Sequence, residues 1–388
     1  MKSSNYSSPA PDLGPVHLNF FSYYGRMLFA MEFLTLLIGY LLVFSFFTVV
    51  CICGDHPSCI NGPIGWVKRS LTKAFFCLIP KQIVDLGTRF VYYVYQQRNP
   101  TMQIVFGILV LSGHAIVVID IFPILYGIFH DDNHVLVPML LLFLNLFVFY
   151  KLCGADPGEI TKDNHGVYSF IYPYDGAIYQ KKTICKTCNF SKPARSKHCS
   201  VCNRCVHRFD HHCVWTNNCI GALNNHYFLA FLITLIMMCV NGFYMALRSI
   251  VSIAQYSGMV DALIMQANGK MTPVTLSALV QHLFMQFPRI IFLMASLSVL
   301  SLLMAGFTVY HLYLMFTNQT SNERYKIGSI KNSERCCRKE NTEATQSKKP
   351  NKRKTLNTRP YNQGFLKNIA QVLFPKNYIE KHKKVSHR

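Results

Sequence analysis

Five long apolar segments constrain this chain more than any other feature of its sequence. Each is longer than the roughly 18 residues that a helix needs to cross a bilayer core ~30 Å thick. The segments are Leu28–Ile52, Met102–Phe122, Val135–Cys153, Phe228–Leu247 and Ile290–Phe316. Only 15% of the 388 residues are charged, against about 25% in an average soluble domain. The sequence therefore predicts an α-helical polytopic membrane protein with about five transmembrane helices, and it excludes a soluble globular enzyme or a disordered chain.

A weaker apolar segment, Leu276–Phe287, is interrupted by polar residues and is followed by a proline. We expect it to lie on the membrane surface or to re-enter the membrane, and we do not count it as a span. Polar residues also occur inside the spans, where they are costly and can mark function. We favour hydrogen bonds between helices, or contact with the membrane interface, over a catalytic role for these residues. They are Glu32, His114, Asp120, Asn145 and Asn241.

The basic residues that give the chain its net charge of +21 are concentrated outside the spans. By the positive-inside rule, the three most basic segments lie in the cytosol. The predicted organisation is a lumenal tail at 1–27, transmembrane helices 1–3 within 28–153 with a basic cytoplasmic loop at 53–101, a cytoplasmic cysteine-rich domain at 154–227, transmembrane helices 4 and 5 within 228–316 with a lumenal loop at 248–289, and a basic cytoplasmic tail at 317–388.

The basic cluster Lys348–Lys354 in the tail has two interpretations. Such clusters serve nuclear localisation or nucleic-acid binding, but beside a membrane anchor the attraction to anionic lipid is favoured. We therefore expect the lipid bilayer, and no nucleic acid, as a partner. Cys336 and Cys337 in the same tail are predicted either to be acylated or to be unmodified thiols. The sequence constrains the compartment weakly; we expect the endoplasmic reticulum or Golgi, with the plasma membrane as the alternative.

Cysteine and histidine are densely clustered between the third and fourth spans. In the cytosol disulfides are rare, so such a cluster favours zinc. A Cys-x2-Cys turn lets two thiolates meet one tetrahedral ion. Ten candidate ligands fall in this segment: Cys185, Cys188, His198, Cys199, Cys202, Cys205, His211, His212, Cys213 and Cys219.

The number of ligands indicates a further feature of this segment. Two closed zinc sites take eight of the ten residues, and the natural remainder is one Cys with one His. A thiol beside an imidazole is the arrangement of a nucleophilic cysteine, and Asp210 could hold the imidazole in one tautomer. The spacing permits this arrangement without choosing between His211 and His212. The alternative is a zinc module whose extra Cys and His only pack.

The run Asp210-His211-His212-Cys213, inside this cysteine-rich frame, resembles the DHHC family of protein S-acyltransferases (palmitoyltransferases). Asn224 and Phe228 follow at the family's usual offsets. Three further elements resemble family motifs: Asp156-Pro157-Gly158, Thr320-Ser321-Asn322-Glu323, and Tyr361-x2-Gly364-x3-Asn368-x3-Val372. The resemblance covers about residues 156–374, and the N-terminal part matches in topology only. Val214 and Ser321 depart from the common Pro and Thr, and we expect neither to abolish activity.

The resemblance implies a role for each matching residue. Cys185, Cys188, His198 and Cys205 would hold one zinc ion, and Cys199, Cys202, His212 and Cys219 the other. Cys213 would be the nucleophile, His211 its general base and Asp210 the residue that orients His211. Asp156, Thr320 and Asn368 would have structural roles. Lys192, Arg195 and Lys197 would be candidates for contact with the phosphates of coenzyme A, although for any single one a solvated role or contact with anionic lipid is favoured.

The implied activity is transfer of a palmitoyl or similar acyl chain from acyl-CoA to cytosol-facing cysteines of membrane-associated proteins. Besides two structural zinc ions, it requires acyl-CoA as co-substrate. The alternative function is a non-catalytic, zinc-stabilised membrane scaffold or adaptor, which would not need the intact Asp-His-His-Cys run. A RING-like ubiquitin ligase fits poorly, because the ligand spacing is too compact for a cross-brace. Beyond the spans, nothing in the sequence favours a channel or transporter.

Overall fold

The computed structural model describes residues 39, 62–78, 80–129, 133–265, 270–331 and 359–386. The predicted first span, Leu28–Ile52, lies outside these residues except for Gly39. The predicted tail at 1–27, the Cys336–Cys337 pair and the Lys348–Lys354 cluster also lie outside them. The chain divides into two compact units, residues 1–88 and 89–388.

The described part of the chain is mostly helical. Its helices are α1 (Pro63–Leu78), α2 (Lys81–Gln96), α3 (Thr101–Ile116), α4 (Phe122–Phe129), α5 (Asn133–Gly154), α6 (His165–Ile171), α7 (Asn225–Tyr256), α8 (Leu276–Gln286), α9 (Pro288–Phe316), α10 (321–331), α11 (Phe365–Leu373) and α12 (Pro375–Ser386).

Four helical segments are long and apolar enough to cross a membrane: Thr101–Phe129, Val135–Gly154, Asn225–Tyr256 and Pro288–Phe316. They correspond to the second to fifth predicted spans, so a polytopic membrane protein is confirmed with four candidate spans in the described residues. The first combines α3 and α4 through one π-helical turn. The weak segment Leu276–Phe287 forms only the 11-residue helix α8.

The spans pack around α7, which contacts both α5 and α9. Apolar side chains of α3, α5 and α7 form the core between them, with Phe106, Leu141 and Phe231 among its buried members. Inside this core Asn145 donates a 2.9 Å hydrogen bond to Thr234 Oγ1 on α7. This bond is of the kind predicted above for polar residues within the spans, a hydrogen bond between helices.

Short strands build the cysteine-rich module between α5 and α7. They are β1 (Glu159–Ile160), β2 (Ile184–Cys185), β3 (Phe190–Ser191), β4 (Lys197–Cys199), β5 (Arg204–Val206), β6 (His211–Cys213) and β7 (Asn218–Ile220). Strands β1, β5 and β4 form one antiparallel sheet, while β2–β3 and β6–β7 form hairpins. A further hairpin, β8 (Leu263–Met265) with β9 (Met271–Pro273), follows α7.

Asparagine makes the turns of the two Cys-x2-Cys units possible. Asn189 and Asn203 each follow the second cysteine of a unit, with φ of 56° and 52°. Asparagine tolerates this left-handed conformation better than most residues do. The chain can therefore reverse directly after each pair of thiolates and leave both directed at one point.

Glycine is required where the module closes on its N-terminal connection. A Cβ atom at Gly221 would lie 2.4 Å from the carbonyl oxygen of Pro157 and 2.5 Å from Val206 Cγ1. Neither gap admits a carbon atom, so the Asp156-Pro157-Gly158 segment can pack against β5 only because residue 221 lacks a side chain.

Candidate active site

Two clusters of cysteine and histidine lie in the module, and in each the four ligand atoms are within 4.8 Å of one another. One cluster is Cys185, Cys188, His198 and Cys205, and the other is Cys199, Cys202, His212 and Cys219. The structure thus brings together eight of the ten candidates, in the two interleaved sets that the family resemblance implied. His211 and Cys213 belong to neither cluster.

The donor geometry of both clusters fits a tetrahedral zinc ion. His198 Nδ1 lies 3.4 Å from Cys188 Sγ and 3.8 Å from Cys205 Sγ. In the second cluster, His212 Nδ1 lies 3.4 to 3.7 Å from the three sulfur atoms. A sulfur and a nitrogen bound to one tetrahedral zinc at ~2.3 and ~2.0 Å are about 3.5 Å apart. Either cluster could hold zinc, with protein ligands at all four positions.

The β6–β7 hairpin explains why two adjacent histidines have different partners. Successive side chains of a strand point to opposite faces. His212 therefore turns towards the second metal cluster, while His211 and Cys213 share the other face of β6 and interact electrostatically. The sequence would predict opposite directions for His211 and His212 only if this segment were known to be a strand. The segment is too short for a strand to be predicted from its sequence.

Asp210 holds the imidazole of His211 in place. Asp210 Oδ2 accepts a 2.6 Å hydrogen bond from His211 Nδ1, and Oδ1 accepts a 2.7 Å bond from the backbone N–H of Ser321. The carboxylate is buried. Because Nδ1 is the donor to Asp210, Nε2 is the nitrogen available to Cys213. The three residues predicted to be catalytic therefore lie together, with His211 bonded to Asp210 and on the same strand face as Cys213.

The electrostatics of these three residues favour a thiolate beside an imidazolium. Burial raises the pKa of the Cys213 thiol, but the interactions with His211 and Thr216 together outweigh burial, and the pKa is lowered from its ordinary value. Burial alone would lower the pKa of His211, yet the hydrogen bonds to Asp210 and Cys213 raise it to about 10. Burial would raise the pKa of Asp210, but the hydrogen bond from His211 lowers it to about 2.

Two side-chain amides fix the hairpin to the ends of the spans. Asn218 Nδ2 donates to two carbonyl oxygens at the end of α5, at 3.1 and 2.8 Å. Gln103 Nε2, in the first turn of α3, donates to the carbonyl oxygen of Thr216 at 3.1 Å. Since a membrane span begins or ends at both attachment points, Cys213 lies at the boundary of the membrane.

A cavity of about 490 Å³ opens beside Cys213 and extends between the spans. His211, Cys213 and Trp215 line one end of it. Along α7 it extends from Phe228 to Gly242, about 21 Å at ~1.5 Å per residue. A bilayer core ~30 Å thick contains two layers of acyl chains, so this depth accommodates one chain. The wall is apolar, with Phe106, Val110, Phe231, Leu235, Leu297 and Met304 among its members.

His311 on α9 lies beside this site and was not among the predicted site residues. It is buried, and its ring centroid lies 6.0 Å from that of His211. Edge-to-face contacts join it to Phe228 at 4.9 Å and to Phe307 at 4.5 Å, and Phe228 also contacts His211 at 5.2 Å. A histidine inside an apolar span is itself a signal of function, and that signal was present in the sequence.

Asp156 and Asn368, two of the residues expected to be structural, bind backbone groups. Asp156 Oδ1 accepts 2.9 Å bonds from the N–H groups of Gly158 and Glu159, which closes the turn after α5. Asn368 Nδ2 donates a 2.7 Å bond to the carbonyl oxygen of Phe316, the last residue of α9. The amide of Asn368 thus ties α11 to the end of the last span.

Thr320 begins α10 with a reciprocal cap. The backbone N–H of Glu323 donates to Thr320 Oγ1 at 3.2 Å, and the N–H of Thr320 donates to Glu323 Oε2 at 3.0 Å. This capping box satisfies two N–H groups at the helix end. It also fixes the backbone of Ser321, which donates to Asp210, so the serine that replaces threonine there leaves this contact intact.

The expectation that Arg195 contacts coenzyme A is wrong. Its side chain has no exposed surface, and two of its nitrogens bind the carboxylate of Glu323 at 2.7 and 2.9 Å. The guanidinium also packs against the rings of Tyr172 and Tyr361, at 4.8 and 4.4 Å from their centroids. A planar cation held by a carboxylate and two rings is not free to meet a phosphate. Its charge instead attaches α10 and the C-terminal segment to the cysteine-rich module.

The other two candidates for coenzyme A contact remain accessible. Lys197 is exposed and Lys192 is half-buried. Lys197 lines a second, more polar cleft of about 360 Å³, whose walls also include Asp210, His211 and Ser321. Its ammonium group lies 5.3 Å from the ring centroid of Phe209.

Comparison with known proteins places this architecture in a family. Residues 178–328 match the family model described as DHHC palmitoyltransferase. The chain is 39% identical over 302 residues to bovine palmitoyltransferase ZDHHC4, covering 76% of this chain and 85% of the relative. The mouse ZDHHC4 is 33% identical over 296 residues, with the same coverage. Palmitoyltransferase swf1 of Emericella nidulans is 29% identical over 305 residues, covering 74% of this chain and 69% of the relative.

These relatives also confirm a finer prediction from the sequence. The stretch KPARSKHCSVCNRCVHRFDHHCVW and the Thr-Asn-Gln before Thr320 resemble animal DHHC member four. By its matched domain, its identity to these relatives and the coverage of their length, the chain belongs to the DHHC palmitoyltransferase family.

Proposed function

We propose that this protein is a protein S-acyltransferase that works through an acyl-Cys213 intermediate. The observation that carries the proposal is that Asp210 holds His211 by a hydrogen bond, while His211 and Cys213 line one apolar cavity between membrane spans. A nucleophile, a base and a residue that orients the base are the parts that thioester exchange requires.

In the first stage the Cys213 thiolate attacks the carbonyl carbon of an acyl-CoA thioester. A new carbon–sulfur bond forms, the bond to the coenzyme sulfur breaks, and the imidazolium of His211 gives its proton to the departing thiolate. In the second stage the thiol of an acceptor cysteine passes its proton to His211 and attacks the acyl-Cys213 carbonyl. Cys213 leaves as a thiolate, which restores the starting state, and one thioester replaces another without nucleotide consumption.

The apolar cavity would supply the environment for a palmitoyl or similar acyl chain. At ~0.8 kcal/mol per buried CH2, a 16-carbon chain in water would be about 12 kcal/mol less stable than one in apolar surroundings. A reaction centre at the membrane boundary lets the carbonyl meet Cys213 while the chain stays between the spans. The same position favours acceptor cysteines on membrane-associated proteins, which approach along the bilayer.

Two zinc ions would hold the β-strands of the module rather than take part in the transfer. Each would be held by three cysteines and one histidine, which leaves no position for water or substrate. We further propose Lys192 and Lys197 as candidates for contact with coenzyme A phosphates, because both are accessible cations of this module.

We propose that the cysteine-rich domain and the tail face the cytosol, as the distribution of basic residues predicts. The domain boundaries at 154–227 and 317–388 follow from that orientation. The proposed compartment is the endoplasmic reticulum or Golgi. There the active site would bind acyl-CoA from the cytosol.

The test is formation of the acyl-enzyme. The full chain is purified in detergent, incubated with an alkyne analogue of palmitoyl-CoA, and compared with Cys213→Ser and Cys153→Ser. Cys153 is a half-buried cysteine in neither zinc cluster, so it is the matched control. Zinc content is measured for all three proteins, because a variant that has lost zinc reports on folding.

The expected result is a hydroxylamine-sensitive label on wild type and Cys153→Ser but none on Cys213→Ser with full zinc. Zinc-loaded wild type that takes no label would contradict the proposal and favour the scaffold function. A label retained by Cys213→Ser would assign the nucleophile to another residue.

A further inference from the structure

The helix α2 ends in a rigid turn that attaches it to the first described membrane span. Asn99 is buried in this turn. Its amide nitrogen donates to the carbonyl oxygens of Tyr93 and Gln97 at 2.6 and 2.8 Å, and its Oδ1 accepts from the backbone N–H of Thr101 at 3.0 Å. One side chain thus binds backbone groups at the end of α2 and at the start of α3. The C-terminal end of α2 is therefore held at the membrane boundary.

This boundary is on the side of the membrane where Cys213 lies. Gln103, two residues into the span, donates its 3.1 Å hydrogen bond to the carbonyl oxygen of Thr216, three residues after Cys213. The turn at Asn99 and the candidate active site are thus attached to the same end of one helix.

One side of α2 is an apolar stripe in contact with solvent. Ile83, Leu86 and Phe90 are 58%, 68% and 59% exposed, and Tyr93 continues their line. Their spacing of three and four residues puts them on one face of a helix. Asp85, Thr88 and Arg89, also exposed, fall on the other faces. An apolar stripe of this length beside a membrane span is typical of a helix that lies in the interface.

We propose that α2 lies in the plane of the membrane on the catalytic side, with the stripe Ile83–Leu86–Phe90–Tyr93 inserted below the headgroups. Its partner is a lipid surface that contains anionic headgroups. Lys81, Arg89 and Arg98 are exposed and outnumber the one acidic residue of the segment, Asp85, so they meet the phosphates from the edge of the inserted face. The helix thereby holds the bilayer surface beside Cys213. This inference does not depend on the transfer chemistry.

The test uses the full chain in lipid nanodiscs of phosphatidylcholine with a minor fraction of phosphatidylserine. The photoreactive residue benzoylphenylalanine replaces Leu86 or Phe90 on the stripe, and Asp85 or Thr88 on the polar side as matched controls. After irradiation, lipid adducts on each protein are quantified by mass spectrometry. All four positions are exposed, and zinc content shows that each variant is folded.

The expected result is at least several-fold more lipid adduct at Leu86 and Phe90 than at Asp85 and Thr88. Phosphatidylserine should be enriched in the adducts over its bulk fraction, and Lys81→Gln with Arg89→Gln should remove that enrichment. Equal labelling of both sides, or adducts at Phe90 that join two protein chains, would overturn the membrane placement. Adducts that keep the bulk lipid ratio in the protein with Lys81 and Arg89 intact would overturn the assignment to anionic lipid.

Discussion

Replacing Asp210 with asparagine is expected to remove most acyl-enzyme formation without removing zinc. The carboxylate accepts two hydrogen bonds, from His211 Nδ1 at 2.6 Å and from the Ser321 N–H at 2.7 Å. In Asp210→Asn the side-chain oxygen can keep the bond to Ser321, but an NH2 group then faces His211 Nδ1. His211 must turn or take the other tautomer, which puts its proton on Nε2 and prevents that nitrogen from accepting the proton of Cys213.

The size of the effect follows from this loss of the base. A positioned general base contributes roughly 10²- to 10⁴-fold, which is about 3–6 kcal/mol at ~1.4 kcal/mol per tenfold. The pKa of Asp210 is about 2, so wild type keeps the carboxylate ionised throughout the neutral range and the comparison holds at any pH used. Asp210 belongs to neither metal cluster, and zinc content should be unchanged.

The assay is the single-turnover rate of Cys213 labelling by the palmitoyl-CoA analogue, expressed per zinc-loaded molecule. Asp175→Asn is the control, because Asp175 Oδ1 also accepts backbone N–H groups in this module but lies away from Cys213. It should label at the wild-type rate. A loss below tenfold in Asp210→Asn would refute the tautomer argument, and an equal loss in both variants would make Asp210 a structural residue.

Three further variants test the packing described above. Gly221→Ala should destabilise the module by about 1–3 kcal/mol, because the new Cβ would lie 2.4 Å from the Pro157 carbonyl oxygen. Gly166→Ala is the control, because a Cβ there meets nothing within 4 Å. Thermal unfolding and zinc release are measured for both variants. Gly113→Leu should fill part of the cavity and exclude about two CH2 groups of the acyl chain, at ~0.8 kcal/mol each. The preference should therefore shift about tenfold towards myristoyl-CoA and away from palmitoyl-CoA, as measured by competitive labelling. An unchanged ratio would mean that the acyl chain binds elsewhere. His311→Ala should slow Cys213 labelling at unchanged zinc content, because the His211 ring would be less restrained. His311→Phe should restore the wild-type labelling rate. If it does not, the ring nitrogens of His311 are needed.

Four of the five spans could be predicted because a helix must have a minimum apolar length to cross the membrane. Four predicted segments coincide with helices, and six of the eight helix ends lie within three residues of the predicted ends. The largest differences are at Phe129 and Tyr256, where the helices continue beyond the apolar run. Apolar composition records where lipid contacts a helix, whereas backbone hydrogen bonding continues until the chain turns, so helix ends are less predictable than spans.

Arg195 shows why local charge did not predict contacts. In the sequence it is one of several cations near the cysteines, and its partner Glu323 is 128 residues away. Only the folded chain brings them together, with Tyr172 and Tyr361 around the guanidinium. A cation that has a buried carboxylate partner serves the fold, and a cation without one is available to a ligand. The sequence cannot distinguish the two cases until tertiary contacts are known.

The position of Cys213 is fixed by tertiary contacts that cannot be predicted from the spacing of residues in the sequence. Fifteen residues separate it from Phe228 in the sequence, a length that would also let a free loop extend far into the cytosol. The hairpin is instead held by Asn218 at the end of α5 and by Gln103 at the start of α3. Asn218 binds carbonyl oxygens at the end of α5, where such groups have no partner within the helix. Gln103 lies in the first turn of α3 and donates to a carbonyl oxygen of the hairpin itself. The termini of the spans thus provide the binding groups that hold the thiol at the mouth of the cavity, and the depth of the reaction centre is set by the same helices that define the membrane boundary.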